Sequence, residues 1–284
     1  MAEEKLSPMF IGYLPKLPPG YHKPVALSLL AILIIFAGGI ALFGNAERPL
    51  PNAHFEFGQL SEHEGFLQLS PYPMLQIEIG KDPSGKTIFQ SLLLVNSGKL
   101  GAKAIVQKIA DEATLPLETS LVKLRGSLIY YDGKTVLELT EGDDAYLGIT
   151  KVPEPDYSIT RLSLGEKTYQ GEIVDPKCFF GVMNPGYGKV HLSCARRCLS
   201  GGIPPVLKLS RSQEEVRYLL LTNSAGEPLG MEILPLVGFE TTISGQLSQR
   251  NDWHYLAIDD EVISRLSAKA VALPTLYGQI PICR

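Results

Sequence analysis

The sequence predicts a mainly β protein: a single N-terminal transmembrane helix, then two tandem small barrels, the second with a Cys/His-rich insertion. Three observations predict it. One uncharged apolar run, Val25–Gly44, is long enough to cross a bilayer. Two later stretches repeat the same strand signatures in the same order. Three of the four cysteines fall within residues 178–198, in one copy only. The background composition agrees. Hydrophobic content of 45% and charged content of 20% are ordinary for globular protein, and 21 prolines and 27 glycines among short apolar runs favour turn-rich β structure. A net charge of −4 leaves no basic footprint, so nucleic acid is not an expected partner.

The chain opens with a leader, residues 1–24, and the apolar run follows at 25–44. Twenty helical residues rise about 30 Å, the thickness of the hydrocarbon core. A cleaved signal peptide is the competing reading. Its apolar region usually spans about 7–15 residues, and this run is longer and sits behind a full leader, so a retained anchor in contact with the bilayer is expected. Lys5, Lys16, His22 and Lys23 make the leader basic, against Glu3 and Glu4. The positive-inside bias puts the N-terminus in the cytoplasm and the rest outside: periplasmic in a Gram-negative inner membrane. No later stretch reaches 18 apolar residues, so the protein is single-pass.

The first barrel is expected over 50–150 and the second over 155–265, with a C-terminal tail at 266–284. In the first copy "EGFLQL", "SLLLVNSG" and "LVKLRGSLIYYDGKTVLEL" follow one another; in the second, "QGEIVD", "YLLLTNSAG" and "FETTISGQLSQRNDWHYLAI". Each copy opens on a strand with a central glycine, Gly65 or Gly171. Each continues with a triple-leucine strand ending in Asn-Ser and closes with a hairpin, turning at Asp132-Gly133 or Asn251-Asp252. "GAKAIVQKIADEATLP" places Ala104, Ile105, Ile109 and Ala113 on one helical face between the third and fourth strands. Five strands with a helix at that point is the pattern of an OB barrel, and central glycines suit strands that coil sharply. A pair of β-sandwiches is the alternative.

Gly65 to Leu92 is 27 residues and Gly171 to Leu219 is 48, so the second copy carries about 21 extra. The segment 175–202 fills that length. Inserted loops commonly carry function, because they vary without disturbing a core. "HLSCARRCL" reads as a short helix ended by Gly201-Gly202, with His191, Cys194 and Cys198 at i, i+3 and i+7 on one face. "NPGYG" is a turn able to return Cys178 over that face. Cys178, His191, Cys194 and Cys198 are therefore candidate ligands for a transition metal, although Cys-x15-Cys-x3-Cys is not a standard finger.

A disulfide is the competing expectation, because an exported domain meets oxidising conditions. Cys178 would pair with Cys194 or Cys198, closing a loop worth about 3 kcal/mol, and the remaining thiol would reach Cys283. A redox-active thiol is the third reading. Asp175, before Pro176, reads as a turn residue; Arg196 and Arg197 as a solvated helix face; Trp253 as packing across its hairpin. No c-type haem attachment, nucleophile elbow or zincin motif is present, and "NPGYGKV" fails the phosphate-loop pattern at Met183 and Val190.

The segment "GEIVDPKCFFGVMNPGYGKVHLSCARRCLSGGIPPVL" resembles one in bacterial membrane-anchored and exported proteins with an OB-like domain. Their pattern, Asp-x-x-Cys followed by His-x-x-Cys-Ala-x-x-Cys and a Gly-rich turn, falls on Asp175, Cys178, His191, Cys194, Ala195 and Cys198. The similarity covers about residues 168–260 and implies an exported setting with a metal or redox link. With no catalytic constellation in view, the expected role is an accessory or assembly subunit of an inner-membrane complex, respiratory or otherwise redox, with other membrane subunits as partners. The alternatives are a metal-binding or electron-transfer protein using the Cys/His cluster, and a thiol-active enzyme.

Overall fold

A computed structural model describes residues 19–46, 53–152, 157, 159–213 and 216–272. Most of the leader, and Cys283 with the end of the expected tail, lie outside the described residues. Two compact units divide the chain, Met1–Arg48 and Pro49–Arg284. The first contains α1 (His22–Ala46), whose span His22–Gly44 is long and apolar enough to cross a membrane. It begins and ends slightly outside the run read from sequence, because His22, Lys23 and Pro24 fit a first helical turn.

The second unit is mainly β. In its first half come β1 (His54–Phe55), β2 (Ser61–Gln68), β3 (Met74–Lys81), β4 (Thr87–Val95), α2 (Lys103–Glu112), β5 (Ser120–Tyr131), β6 (Lys134–Leu139) and β7 (Tyr146–Lys151). Five of these strands close a ring. β2 pairs antiparallel with β3 and β5, β3 with β4, β5 with β6, and β4 runs parallel to β6. β1 and β7 extend along β5. In the second half come β8 (Arg161–Val174), α3 (Leu192–Ser200), β9 (Val206–Gln213), β10 (Val216–Asn223), β11 (Glu240–Arg250), β12 (Trp253–Ile258) and α4 (Asp260–Ala272). β8 to β12 form a closed barrel with the same pairings, including the parallel pair β10–β12.

The repeated glycines occupy matching places in the two rings. A Cβ at Gly65 would lie 2.3 Å from the Gln76 carbonyl oxygen, and one at Gly171 2.3 Å from that of Lys208. The first and second strands cross there too closely for any side chain. Gly126 and Gly245 do the same between the fourth and fifth strands. Both hairpin turns hold their first residue at positive φ, 51° at Asp132 and 50° at Asn251, where Asp and Asn are the tolerated non-glycine residues.

Three cores hold the unit. Leu75, Leu92, Leu94, Val122 and Leu137 fill the first barrel, with Ala102, Val106 and Ile109 of the α2 region as its lid. The helical face is thus rotated from the expected one: Ala104 is exposed and Val106 buried. Leu207, Leu219, Leu221, Leu256 and Ile258 fill the second barrel. The third core lies between the barrels and joins Met74, Leu93 and Ile129 to Leu220, Trp253 and Tyr255, with Cys178, Phe179, Phe180 and Cys198 among them. Trp253 therefore packs at the junction, 6.4 Å from the Phe180 ring, as well as closing its hairpin. The contacts across the junction are reciprocal. Asp132, on the first hairpin turn, accepts from Arg217 and Tyr218 of β10. Asp252, on the second, accepts from the Ser91 amide of β4 at 3.1 Å.

The matching connection in the first barrel is residues 69–73, whereas the second barrel spends residues 175–205 between β8 and β9. The insertion does not hang from the surface as an expendable loop: its Phe179, Phe180 and Ile203 belong to the junction core. Residues 266–272 of the expected tail are helical. Those residues end α4, where Ser267 Oγ donates to the Glu232 carbonyl.

Candidate metal centre

The centre is built at the end of β8. Asp175 is fully buried, and its Oδ1 accepts from the Cys178 amide at 2.8 Å. That bond caps one wide helical turn, Cys178–Val182, and points Cys178, Phe179 and Phe180 inward. α3 starts after His191, whose carbonyl accepts from the Ala195 amide at 2.9 Å, and it stops at Gly201. One helical turn separates Cys194 from Cys198, so both sulfurs leave the same face, as the spacing predicts.

The sulfurs of Cys178, Cys194 and Cys198 lie within 4.8 Å of one another. Asp175, Cys178 and His191 form a second set within the same limit, with His191 Nε2 3.1 Å from Asp175 Oδ2. The four candidate ligands therefore divide into two overlapping sets that share Cys178, and His191 is not in the set that holds Cys194 and Cys198. The expected disulfide among these cysteines is absent. All three are free thiols, and the two in α3 and the one in the turn form a triangle of mutual contacts rather than one pair at bonding distance.

Sequence reading missed two residues and misjudged two more. Lys99, in the loop after β4 of the first barrel, donates from Nζ to Cys194 Sγ at 2.9 Å. The signal was a difference between the copies: after the shared Asn-Ser, one loop reads Gly98-Lys99 and the other Ala225-Gly226. Lys177 is buried and donates to the Asn96 and Gly98 carbonyls at 3.0 and 2.6 Å and to Glu138 Oε1 at 2.8 Å. It ties the insertion to the loop that carries Lys99. Asp175 is more than a turn residue, because its second oxygen orients His191. Arg196 is half-buried rather than fully solvated: its guanidinium donates to the Leu234 and Pro235 carbonyls, and burial lowers its pKa. Arg197 is exposed, as expected.

Electrostatics separate the thiols. Cys178 is pushed well above the ordinary thiol range by its hydrogen bond to Cys198, by burial and by the Asp175 charge. Cys198 is pulled down, first because it accepts from Cys178, with further help from the Lys99 charge. Lys99 itself is raised, chiefly by its bond to Cys194. The arrangement is a largely buried seat of three soft donors with a cation alongside. It can hold a thiophilic ion or exchange thiol for disulfide. A structural zinc site would call for four ligands, and the thiol set provides three. No family model matches the chain, and no curated protein or solved structure does either.

Proposed function

We propose that this is a membrane-anchored accessory or assembly protein whose second barrel binds a soft metal ion through Cys178, Cys194 and Cys198. α1 is the anchor in this reading, and the two rings are OB-like barrels, on the support of their strand order and the α2 lid. The basic leader supports an outward placement of the barrels. The carrying observation is the set of three free thiols within 4.8 Å of one another. Monovalent copper suits them best, because thiolates favour it and it accepts three donors where zinc asks for four. Asp175 and His191 would then support the centre from beside Cys178 as a hydrogen-bonded carboxylate–imidazole pair. The role expected from sequence, in an inner-membrane redox complex, becomes that of holding or passing on the ion.

The test is metal analysis of full-length protein purified anaerobically in detergent. About one copper per chain is expected after loading with Cu(I), with the metal lost from each of Cys178→Ser, Cys194→Ser and Cys198→Ser. His191→Ala should keep the stoichiometry and weaken affinity by about tenfold, the ordinary effect of a supporting residue. Wild type that takes up no metal would overturn the proposal. If in addition mild oxidation reversibly removes two thiols per chain, the hydrogen-bonded pair Cys178–Cys198 acts as a redox couple instead.

A further inference from the structure

Where the first hairpin turn meets β9 and β10, the barrels leave a cleft of about 300 Å³. It is at the lower end of ligand pockets, which run from about 300 to 1,000 Å³. Tyr131 of the first barrel, Phe179 and Tyr187 of the insertion, and Tyr218 of the second barrel form its walls. Their rings already pack together: Tyr131 and Phe179 at 6.0 Å and Phe179 and Tyr187 at 6.1 Å edge to face, and Phe179 and Tyr218 tilted at 5.9 Å. Such walls present flat faces and positive edges, which favour another flat ring.

Charge narrows the choice. Three ionic groups line the cleft, Asp132, Arg217 and Lys208. Asp132 and Arg217 neutralise each other, and the Tyr218 hydroxyl is spent on Asp132 at 3.0 Å. Lys208 makes no ion pair among the described residues: Glu172, opposite it on β8, has an oxygen occupied by the Gly188 amide. Its ammonium stands 4.8 Å from the centre of the Tyr187 ring and 5.9 Å from that of Phe179. The opposite junction, where Asn251 and Asp252 meet Gln76 and Ser91, is closed by hydrogen bonds, and its own lysine over a ring, Lys134 on Trp253, is paired with Asp252.

We infer that this cleft binds a planar aromatic monoanion, its ring among Tyr131, Phe179, Tyr187 and Tyr218 and its acidic oxygen on Lys208. One cation outside any ion pair calls for one negative charge, and four aromatic rings in the walls call for a flat ring between them. A nucleotide or phosphate would call for several cationic donors at one point, and Lys208 is the one cation lining the cleft that is outside an ion pair among the described residues. The inference does not depend on the metal proposal, because none of the residues it uses is a candidate ligand. It does put the ligand against Phe179, next in sequence to Cys178.

Calorimetry on the full chain in lipid nanodiscs tests it, with 2-naphthoate as the anionic probe, 2-naphthylmethanol as its neutral match and empty discs as blank. Naphthoate should bind saturably at one per chain and about tenfold more tightly than the alcohol, the order expected of a charge-assisted bond. Lys208→Met, which keeps an apolar stem over the rings, should remove that preference, and Lys208→Arg should keep it. Tyr187→Leu should weaken both probes together. Equal binding of acid and alcohol, unchanged preference in Lys208→Met, or no saturable heat into the millimolar range would each overturn the inference.

Discussion

Lys99 is the residue on which the centre's charge turns. Three thiols within 4.8 Å of one another would repel once deprotonated to bind a metal, and a cation from the other barrel, Lys99, already bonds Cys194. Removing it should raise the cost of deprotonating the set, which metal binding requires. Lys99→Met should therefore weaken Cu(I) binding by about tenfold in competition with a chromophoric chelator. Because Lys99 is exposed, stability should move by no more than about 0.5 kcal/mol. An unchanged affinity would show that Lys99 merely rests against Cys194. Asp175 teaches the complementary lesson at the same scale. A carboxylate that caps a turn and one that orients an imidazole look alike in sequence, and here one side chain does both because each oxygen has its own partner.

Among the elements, the insertion 175–205 departs furthest from expectation. Read as a loop on a finished barrel, it proves to be part of what the barrels pack against. Lys177 anchors it through a buried pair with Glu138, with side chains only 5% and 17% exposed. Breaking a buried pair from one side leaves an unmatched charge, so Lys177→Met should destabilise the barrel unit by about 3 kcal/mol. Lys177→Met/Glu138→Leu should be milder than Lys177→Met alone, giving a coupling above about 1 kcal/mol in urea titrations. Additive effects would mean that the strut carries no energy. The strands, the hairpins and the place of the insertion were legible because they rest on local patterns: leucine triplets, central glycines and left-handed turn residues. The convergence of Cys194 and Cys198 was legible from helical spacing. Lys99, Lys177 and the role of Trp253 were not, since each depends on a partner in the other half of the chain. The disulfide expectation failed for a related reason. Spacing reveals which thiols are near, but whether two or three share the space depends on how the turn and α3 face each other.

For the whole molecule, the shared junction core makes acid an indirect probe of both barrels. His63 in β2 and His254 in β12 each have a pKa lowered by burial. The unfolded chain therefore takes up protons at these positions first, as the pH falls below the ordinary value of about 6.5. With more protons bound unfolded than folded, stability rises with pH in that window. It is fully present above about 6.5 and lost as pH falls toward the lowered values. Urea midpoints should decline between pH 6.5 and 5, and His63→Gln/His254→Gln should flatten the decline; an unchanged slope would assign the acid sensitivity to other groups. The junction also holds a backbone contact. The Gly101 amide donates to the Gly201 carbonyl at 2.9 Å, and a Cβ at Gly101 or Gly201 would lie 2.0 or 1.9 Å from a carbonyl oxygen of the facing loop. The corresponding loop of the second copy reaches its own Leu229-Gly230 by a longer path through Glu227 and Pro228. Two copies of one pattern have thus become a lock and its key. A gene rearrangement that exchanged them, or restored one to the likeness of the other, would conserve every strand and still jam the join.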